Sequence, residues 1–413
     1  MKIVIHKGTN EIGGTCIQLS TSTTTILLDI GLPLSDDSKY IDYSKLKPDA
    51  ILISHPHQDH YGLINSIEVT IPVYIGKVGK EFINATSMFL GKELYDNNFK
   101  FIKNNESFSI GDINITPYLV DHSAVDAYSF LIQSENKNII YSGDFRAHGR
   151  KSVLYKRIVK NPPKNIDVLF LEGTMINRDN NEFPDENAVE NIIYESIKSQ
   201  NNISFIISSS QNIDRIVSAY RACLKAGKTL IIDLYTAWIL EQLKIVTQNV
   251  PNMEWDNIKI YADYKHDLVL KNNPSLTGDF RKRAYNYRIR KEEIEKNPSE
   301  YLYLTKMSKF KLIELFRSEE NPVNIIYSQW LGYLNKSNQK FYGSEQISSF
   351  RTDNGVNFIY AHTSGHATVE DLKTFVEAIN PKKIIPIHTE YKNDYTTLFN
   401  NVYILNDDDI LNL

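Results

Sequence analysis

A chain of 413 residues exceeds one ordinary domain, since domains run to about 150 residues, so two or three are expected. Apolar residues make up 42% and charged residues 23%, a globular balance that excludes a disordered or fibrous chain. The net charge of −4 excludes a global basic field, so any nucleic-acid contact has to rest on a local patch.

The N-terminus, Met1-Lys2-Ile3-Val4-Ile5-His6, is a short strand-like run without the longer apolar stretch and small-residue cleavage site of a signal peptide. No segment approaches the roughly 18 uninterrupted apolar residues of a membrane helix, so a soluble protein with no membrane partner is expected. Cys16 and Cys223 stand far apart, each in an apolar segment. They read as buried free thiols in a reducing cytoplasm.

Up to about residue 175 the chain is rich in short strands that end in polar loops: Thr25 to Asp29, Ala50 to Ile53, Ile113 to Leu119, Tyr128 to Ile132, Ile139 to Ser142 and Val168 to Leu171. From about 186 helices and strands alternate. Val189, Ile192, Ile193 and Ile197 mark a helix, Ile203 to Ile207 a strand, and Ile213, Ile216, Val217, Tyr220 and Leu224 a second helix that Gly227 stops before the strand Leu230 to Ile232. Such alternation implies a parallel sheet with helical crossovers, and residues 176–345 are read as a separate α/β module. Beyond it, Val369, Leu372, Phe375, Val376 and Ile379 form a helical stripe opened by Thr368 and Asp371 as a capping box, and Ile384 to Ile387 is a buried strand. No internal repeat is visible.

The run His55-Pro56-His57-Gln58-Asp59-His60 follows the strand Ala50 to Ile53. Tight binding of a transition metal needs imidazoles and carboxylates converging on one point, and a short loop leaving a strand can aim several at once. His55 and His57 can face one ion, while Asp59 and His60, turned by the bend at Gly62, face a second. His122 and Asp144 each follow an expected strand, where further ligands belong; taken singly, each serves equally well as a cap or turn residue. Asp144 can bridge two ions with its two oxygens, and a hydroxide held between them would be the nucleophile of a hydrolysis.

These residues resemble the metallo-β-lactamase superfamily, whose His-x-His-x-Asp-His signature is matched by His55 to His60. Asp29 looks like the family's first-motif aspartate, which orients the ligand loop; as a bare residue it reads equally as a turn aspartate. The segments Ala361-His362-Thr363-Ser364-Gly365-His366-Ala367 and Pro386-Ile387-His388-Thr389 look like late motifs of the β-CASP branch of nucleases, closest to ribonuclease J. The resemblance spans the whole chain. It implies an α/β fold in which a metallo-β-lactamase αββα sandwich, 1–175 and 346–413, is interrupted by a β-CASP domain at 176–345.

By the same resemblance one zinc takes His55, His57, His122 and Asp144, and a second takes Asp59, His60, Asp144 and His388, with manganese as the alternative metal. Glu172 matches motif A, His366 motif B and His388 motif C. Asp59, Glu172 and His366 are then the catalytic set, with His366 as general acid oriented by Glu172. The implied activity is that of a zinc-dependent exo- or endoribonuclease acting on single-stranded RNA. The alternatives are a DNA nuclease of the same fold and a non-catalytic RNA-binding scaffold. A small-molecule esterase is disfavoured by the inserted module. Two departures stand out: Glu172-Gly173-Thr174 replaces the more usual Asp-Ser-Thr, and the chain ends soon after His388, so the group's additional C-terminal domain and oligomer formation through it are not expected from this sequence.

Three further features bear on the substrate. Ser208-Ser209-Ser210 opens a helix carrying Arg215, and Ser209, Ser210 and Arg215, joined by His362 and Ser364, form a candidate phosphate pocket; a serine N-cap with a solvated arginine reads equally well. Ile325 to Tyr333 carries aromatic residues suited to base stacking or to a core. Arg281, Lys282, Arg283, Arg288, Arg290 and Lys291, interleaved with Tyr285 and Tyr287, make either a backbone-binding patch or a solvated helical face.

Overall fold

The computed structural model describes residues 1–34, 41–178, 182–335 and 341–413. The apolar runs near the N-terminus become β1 (Lys2–Lys7), β2 (Cys16–Ser20), β3 (Thr25–Leu28), β4 (Ala50–Leu52), β5 (Pro72–Gly76) and β6 (Asn98–Ile102). Next come β7 (Phe108–Ile110), β8 (Ile113–Leu119), β9 (Tyr128–Ser134), β10 (Lys137–Tyr141) and β11 (Val168–Glu172). A third group holds β12 (Ser204–Ile207), β13 (Thr229–Asp233), β14 (Ile258–Tyr261), β15 (Tyr301–Thr305), β16 (Val323–Tyr327) and β17 (Val356–Tyr360), after which β18 (Ile384–Ile387) and β19 (Ile410–Asn412) close the chain.

Two compact units result, one formed by Met1–Asn84, Leu94–Asn180 and Gly365–Leu413, the other by Ala85–Glu93 and Asn181–Ser364. In the first, one sheet runs β19-β1-β2-β3-β4-β5-β6 and the other β18-β11-β10-β9-β8-β7. Strand alternation sends Ile3, Ile5, Ile17, Leu19, Ile26 and Leu28 from one sheet against Ile115, Phe130, Ile132, Ile139, Phe170 and Ile385 from the other. The opposite residues of the same strands point outward: Leu131, Ile140, Leu169 and Leu171 meet Tyr155 of the helix Val153–Lys160 and Leu372 and Phe375 of the helix Val369–Ile379. On the other flank, Leu27, Ile51, Val73 and Ile75 meet Ile83 of the helix Lys77–Phe89. Helix, sheet, sheet, helix is therefore the layering of this unit.

The inserted unit carries one sheet, β14-β13-β15-β12-β16-β17, whose pairings are all parallel. Its strands are apolar on both faces and are joined by helices such as Glu186–Ile197 and Ile213–Ala226, the second ending at Gly227 with φ +66. Two boundaries differ from the sequence expectation. Strand β17 pairs along its length with β16, which keeps residues beyond 345 in this unit up to Ser364. Residues 85–93 also belong here, because the Phe89 ring packs on Tyr235 and His266, at 5.0 and 5.2 Å between centroids, and Thr86 Oγ1 accepts from Gln211 Nε2 at 2.7 Å.

The helix Val369–Ile379 starts as its sequence implies: Thr368 Oγ1 accepts from Asp371 N, and Asp371 Oδ2 accepts from Thr368 N, both at 3.2 Å. Thr368→Ala removes the cap and should destabilise this unit by about 1 kcal/mol, read as a lower urea midpoint. An unchanged midpoint would show that packing of Leu372 and Phe375 alone holds the helix start.

Candidate metal centre

Strand direction places the site. Strands β3, β4 and β5 run parallel, as do β10, β11 and β18, while β8 and β10 both pair antiparallel with β9 and so share a direction. Asp29 follows β3, His55 to His60 follow β4, His122 follows β8, Asp144 follows β10, Glu172 ends β11 and His388 follows β18. All these loops leave carboxyl ends of strands, which is where a twisted sheet opens space for a ligand.

The loops converge. His57 Nδ1 lies 3.1 Å from His55 Nε2 and 3.3 Å from His122 Nε2. Four ligands arranged tetrahedrally at the usual zinc–nitrogen distance stand about 3.3 Å apart, so this spacing suits an ion at the centre of the three rings. Asp59 Oδ2 lies 3.8 Å from His60 Nε2 and 3.4 Å from His388 Nε2, a second converging set. Asp144 reaches both: its Oδ2 is 3.7 Å from His55 Nε2 and 3.1 Å from His60 Nε2, and its Oδ1 is 3.6 Å from His388 Nδ1. Buried His60 Nε2 makes no hydrogen bond even so, which marks two donors converging on a common point rather than bonding each other.

Electrostatics prepare the donors. Burial, reinforced by neighbouring histidines, holds His55 and His122 well below the ordinary imidazole pKa, and burial brings His57 down to about 4, so these rings are neutral and keep their lone pairs. Burial opposes ionisation of Asp59 and Asp144. It is outweighed by His60 and His388, which hold both carboxyls below their usual range.

The far side of each ring is also engaged. His60 Nδ1 is 2.7 Å from Asp29 Oδ2, His122 Nδ1 is 2.6 Å from the Gly365 carbonyl, His55 Nδ1 is 3.0 Å from Ser54 Oγ, and His388 Nδ1 is 2.9 Å from Thr174 Oγ1. Asp29, at φ +56, also accepts from Ser54 N and Ser54 Oγ at 2.7 Å and from the Tyr141 hydroxyl. It is a hub that ties the ligand loop to β10 rather than a bare turn residue. Tyr141 and Ser54 belong to no motif, and Thr174, although it stands in the Glu172-Gly173-Thr174 motif, meets a histidine distant in sequence that the motif does not name.

Glu172 and His366 form a separate pair beside the donors. Glu172 is fully buried; Oε1 accepts from Phe145 N at 3.3 Å and Ala367 N at 3.4 Å, and Oε2 accepts from Thr174 N at 3.1 Å. Its Oε2 faces His366 Nδ1 at 3.3 Å, and the His366 ring is 20% exposed whereas His55, His60 and His122 are closed off. Burial disfavours the His366 cation, but Glu172 and Asp144 outweigh it and raise its pKa.

The candidate phosphate residues lie in the inserted unit and divide. Arg215, expected to be open to a phosphate, is fully buried: Nε and Nη2 bond Glu186 at 3.2 Å each, and Nη1 bonds the Ser328 carbonyl at 3.0 Å, the Ser328 hydroxyl and the Ala361 carbonyl. This corrects the expectation, because its guanidinium joins the Glu186 helix to the ends of β16 and β17. Ser210 is likewise buried and bonded to Thr236 Oγ1 at 2.8 Å. Ser209 is exposed, with its hydroxyl accepting from Gln211 N, and His362 lies 3.5 Å from Arg215 Nη1; Ser364 is buried.

Three residues of the basic run are paired with carboxylates, from distant segments and from the adjacent turn. Arg281 is held bidentately by Asp267 at 2.7 and 2.9 Å, Arg283 by Glu241, Glu254 and Asp279, and Lys291 by Glu295. A further group, Asp233, Asp263 and His266, could gather a cation, but its carboxylates already face Lys306 at 3.9 Å and Lys309 at 3.4 Å, and it reads as an ion-pair network. Among the described residues no helix is long and apolar enough to cross a membrane. Cys16 and Cys223 are buried free thiols.

Residues 33–193 match the family described as the beta-lactamase superfamily domain, and 358–399 match the Zn-dependent metallo-hydrolase RNA specificity domain. The first span holds His55 to Glu172, the second His366 and His388. Ribonuclease J of Mycoplasma pneumoniae is 25% identical over 95% of this chain and 68% of its own, and ribonuclease J of Helicobacter pylori is 23% identical over 95% of this chain and 56% of its own. An RNase J-like protein of Methanocaldococcus jannaschii is 23% identical over 93% of this chain and 91% of its own. The chain thus spans little more than half of the Helicobacter relative and about two thirds of the Mycoplasma one. A crystal structure of a protein of unknown function from Enterococcus faecalis shares the fold, with a TM-score of 0.77 at 19% identity over 99% of each chain.

Arg215→Met takes the guanidinium away from the buried Glu186 carboxylate and should destabilise the protein by about 3–5 kcal/mol in denaturant unfolding. The paired change Glu186→Leu with Arg215→Met should recover most of that loss. Full stability of the single variant would return Arg215 to the surface role first expected of it.

Proposed function

The chain belongs to the metallo-β-lactamase superfamily, and from that premise we propose that it is a divalent-metal-dependent ribonuclease hydrolysing phosphodiester bonds of single-stranded RNA. The observation that carries the reading is the convergence of two donor sets on either side of Asp144. His55, His57 and His122 with Asp144 would hold one ion, and Asp59, His60 and His388 with Asp144 the other. Imidazole-rich sets of this kind suit zinc, with manganese as the alternative. When bound, a pair of such ions supplies the Lewis acidity that activates water and offsets charge on the phosphoryl oxygens.

The chain's own residues do the rest. Asp59 and Asp144 fix the spacing of the two sets. His366, more exposed than His55, His60 and His122 and with its pKa raised by Glu172 and Asp144 against the effect of burial, is placed to give a proton to the leaving oxygen as the phosphorus–oxygen bond breaks. Glu172 orients that ring and is itself fixed by three backbone amides. The reading of RNA as the polymer is supported by the RNA specificity family match at 358–399 and by the similarity to ribonuclease J proteins. The full donor set speaks against a non-catalytic scaffold. Buried free thiols fit a reducing, cytoplasmic setting.

Metal analysis and digestion of matched RNA and DNA oligonucleotides test this directly. We expect zinc in protein purified without chelator, cleavage of RNA in preference to DNA, and loss of activity on chelation. Asp59→Ala should lose one ion and all cleavage, whereas His366→Ala should keep its metal and slow by about 10²–10⁴-fold. Equal loss of metal in both variants contradicts the division of roles, and preferential cleavage of DNA contradicts the substrate.

A further inference from the structure

A dense excess of positive charge lies in the first unit, away from the run at 281–291. From Phe145 to Ile166 the chain carries seven lysines and arginines and no aspartate or glutamate, in a protein of net charge −4. Two of them are tied down where the segment begins: buried Arg146 meets Asp121 at 3.4 Å, and Lys151 Nζ donates to the carbonyls of His122 at 2.9 Å and Ala124 at 3.3 Å. The helix Val153–Lys160 follows, and its Tyr155, Ile158 and Val159 pack into the sandwich. Lys160 stands four residues from Lys156 and three from Arg157, so these three share the outward face, and all are exposed, as is Lys164 beyond the helix. Nearby carboxylates are engaged elsewhere. Asp167 holds Lys382 at 2.8 Å and Asp371 faces His148 at 3.7 Å, and among the described residues Lys156, Arg157, Lys160 and Lys164 form no ion pair.

Like charges at these spacings repel and weaken a helix. Attraction to the helix C-terminus accounts for Arg157 and Lys160 in the last turn, but not for Lys164 beyond it, nor for Arg150 and Lys151 ahead of an N-terminus where anions are favoured. We propose that Lys156, Arg157, Lys160 and Lys164 form a docking strip for the sugar–phosphate backbone of single-stranded RNA, joined through Lys151 to the loop that carries His122. This rests on the reading of the chain as a ribonuclease. Lys156 and Lys160 lie about 6 Å apart along the helix axis, and cations on flexible stems meet successive phosphates without reading a base. An anionic membrane fits less well, because a helix lying on lipid needs its apolar side there, and Tyr155, Ile158 and Val159 are taken up by the core.

The test is the salt dependence of binding, read from the anisotropy of a fluorescent, cleavage-resistant phosphorothioate RNA titrated with the full chain. Each lost phosphate contact on a single strand makes the slope of log affinity against log salt shallower by about 0.7, so combining Lys156→Gln, Arg157→Gln and Lys160→Gln should make it shallower by about 2. A control combining Lys45→Gln, Lys100→Gln and Lys103→Gln removes the same charge from exposed sites of the same unit and should keep the wild-type slope. A strip variant with the wild-type slope overturns the proposal, as does a control that falls as far as the strip variant. Wild-type binding to phosphatidylglycerol vesicles that the strip variant loses while it keeps its RNA affinity overturns it in favour of a membrane. If the strip variant does not fold, cross-linking of 4-thiouridine RNA to the wild type decides: peptides from 150–164 are expected, and cross-links only elsewhere contradict the strip. A wild type that binds no RNA refutes the ribonuclease reading and the strip with it, whereas RNA binding untouched by the strip variant removes the strip alone.

Discussion

The first unit gathers imidazoles nitrogen to nitrogen, with His55, His60 and His122 buried and His57 half-buried. His55, His57 and His122 direct their donor atoms at one another at 3.1–3.3 Å, and His60 Nε2 finds no hydrogen-bond partner. A neutral His57 can donate from Nδ1 to only one of its two neighbours, so the three rings cannot all satisfy one another. In the reading proposed above, a divalent cation would take up the lone pairs of all three.

Such a set has to be held rigidly by its surroundings. Asp29 grips Ser54, His60 and Tyr141 together, so β3, β4 and β10 are joined through one carboxylate beneath the ligands. The Gly365 carbonyl does the same for His122, and Glu172, held by three amides, for His366. Two of the loops need left-handed residues, Asp29 and His388, to turn their side chains back toward the centre, and that strain is sustained by buried hydrogen bonds on every side.

Much of this was legible in the chain. Apolar alternation and turn residues placed the strands, and the capping residues Thr368 and Asp371 placed the last long helix. The clustering of His55, His57, Asp59 and His60 on one loop announced the metal chemistry because density in a short segment needs no tertiary knowledge. What escaped was set by partners distant in sequence. Arg215 is closed by Glu186 and Ser328, Arg281 by Asp267, and Arg283 by Glu241 and Glu254, so charges that look available in one dimension are already matched in three. The edge strand β17 and the segment 85–93 were misplaced for the same reason, since their membership is decided by pairing with β16 and by the Phe89 ring on Tyr235. The Tyr141 hydroxyl carries no motif at all, and the motif that contains Thr174 does not tell that its hydroxyl meets His388.

Anomalous diffraction from crystals at the zinc absorption edge tests the central claim most directly. The account predicts two peaks about 3.5–4 Å apart, one among His55, His57 and His122 and the other among Asp59, His60 and His388, with the Asp144 carboxylate between them. Protein crystallised with zinc in excess that shows no peak within reach of these side chains, or peaks only elsewhere, would contradict it.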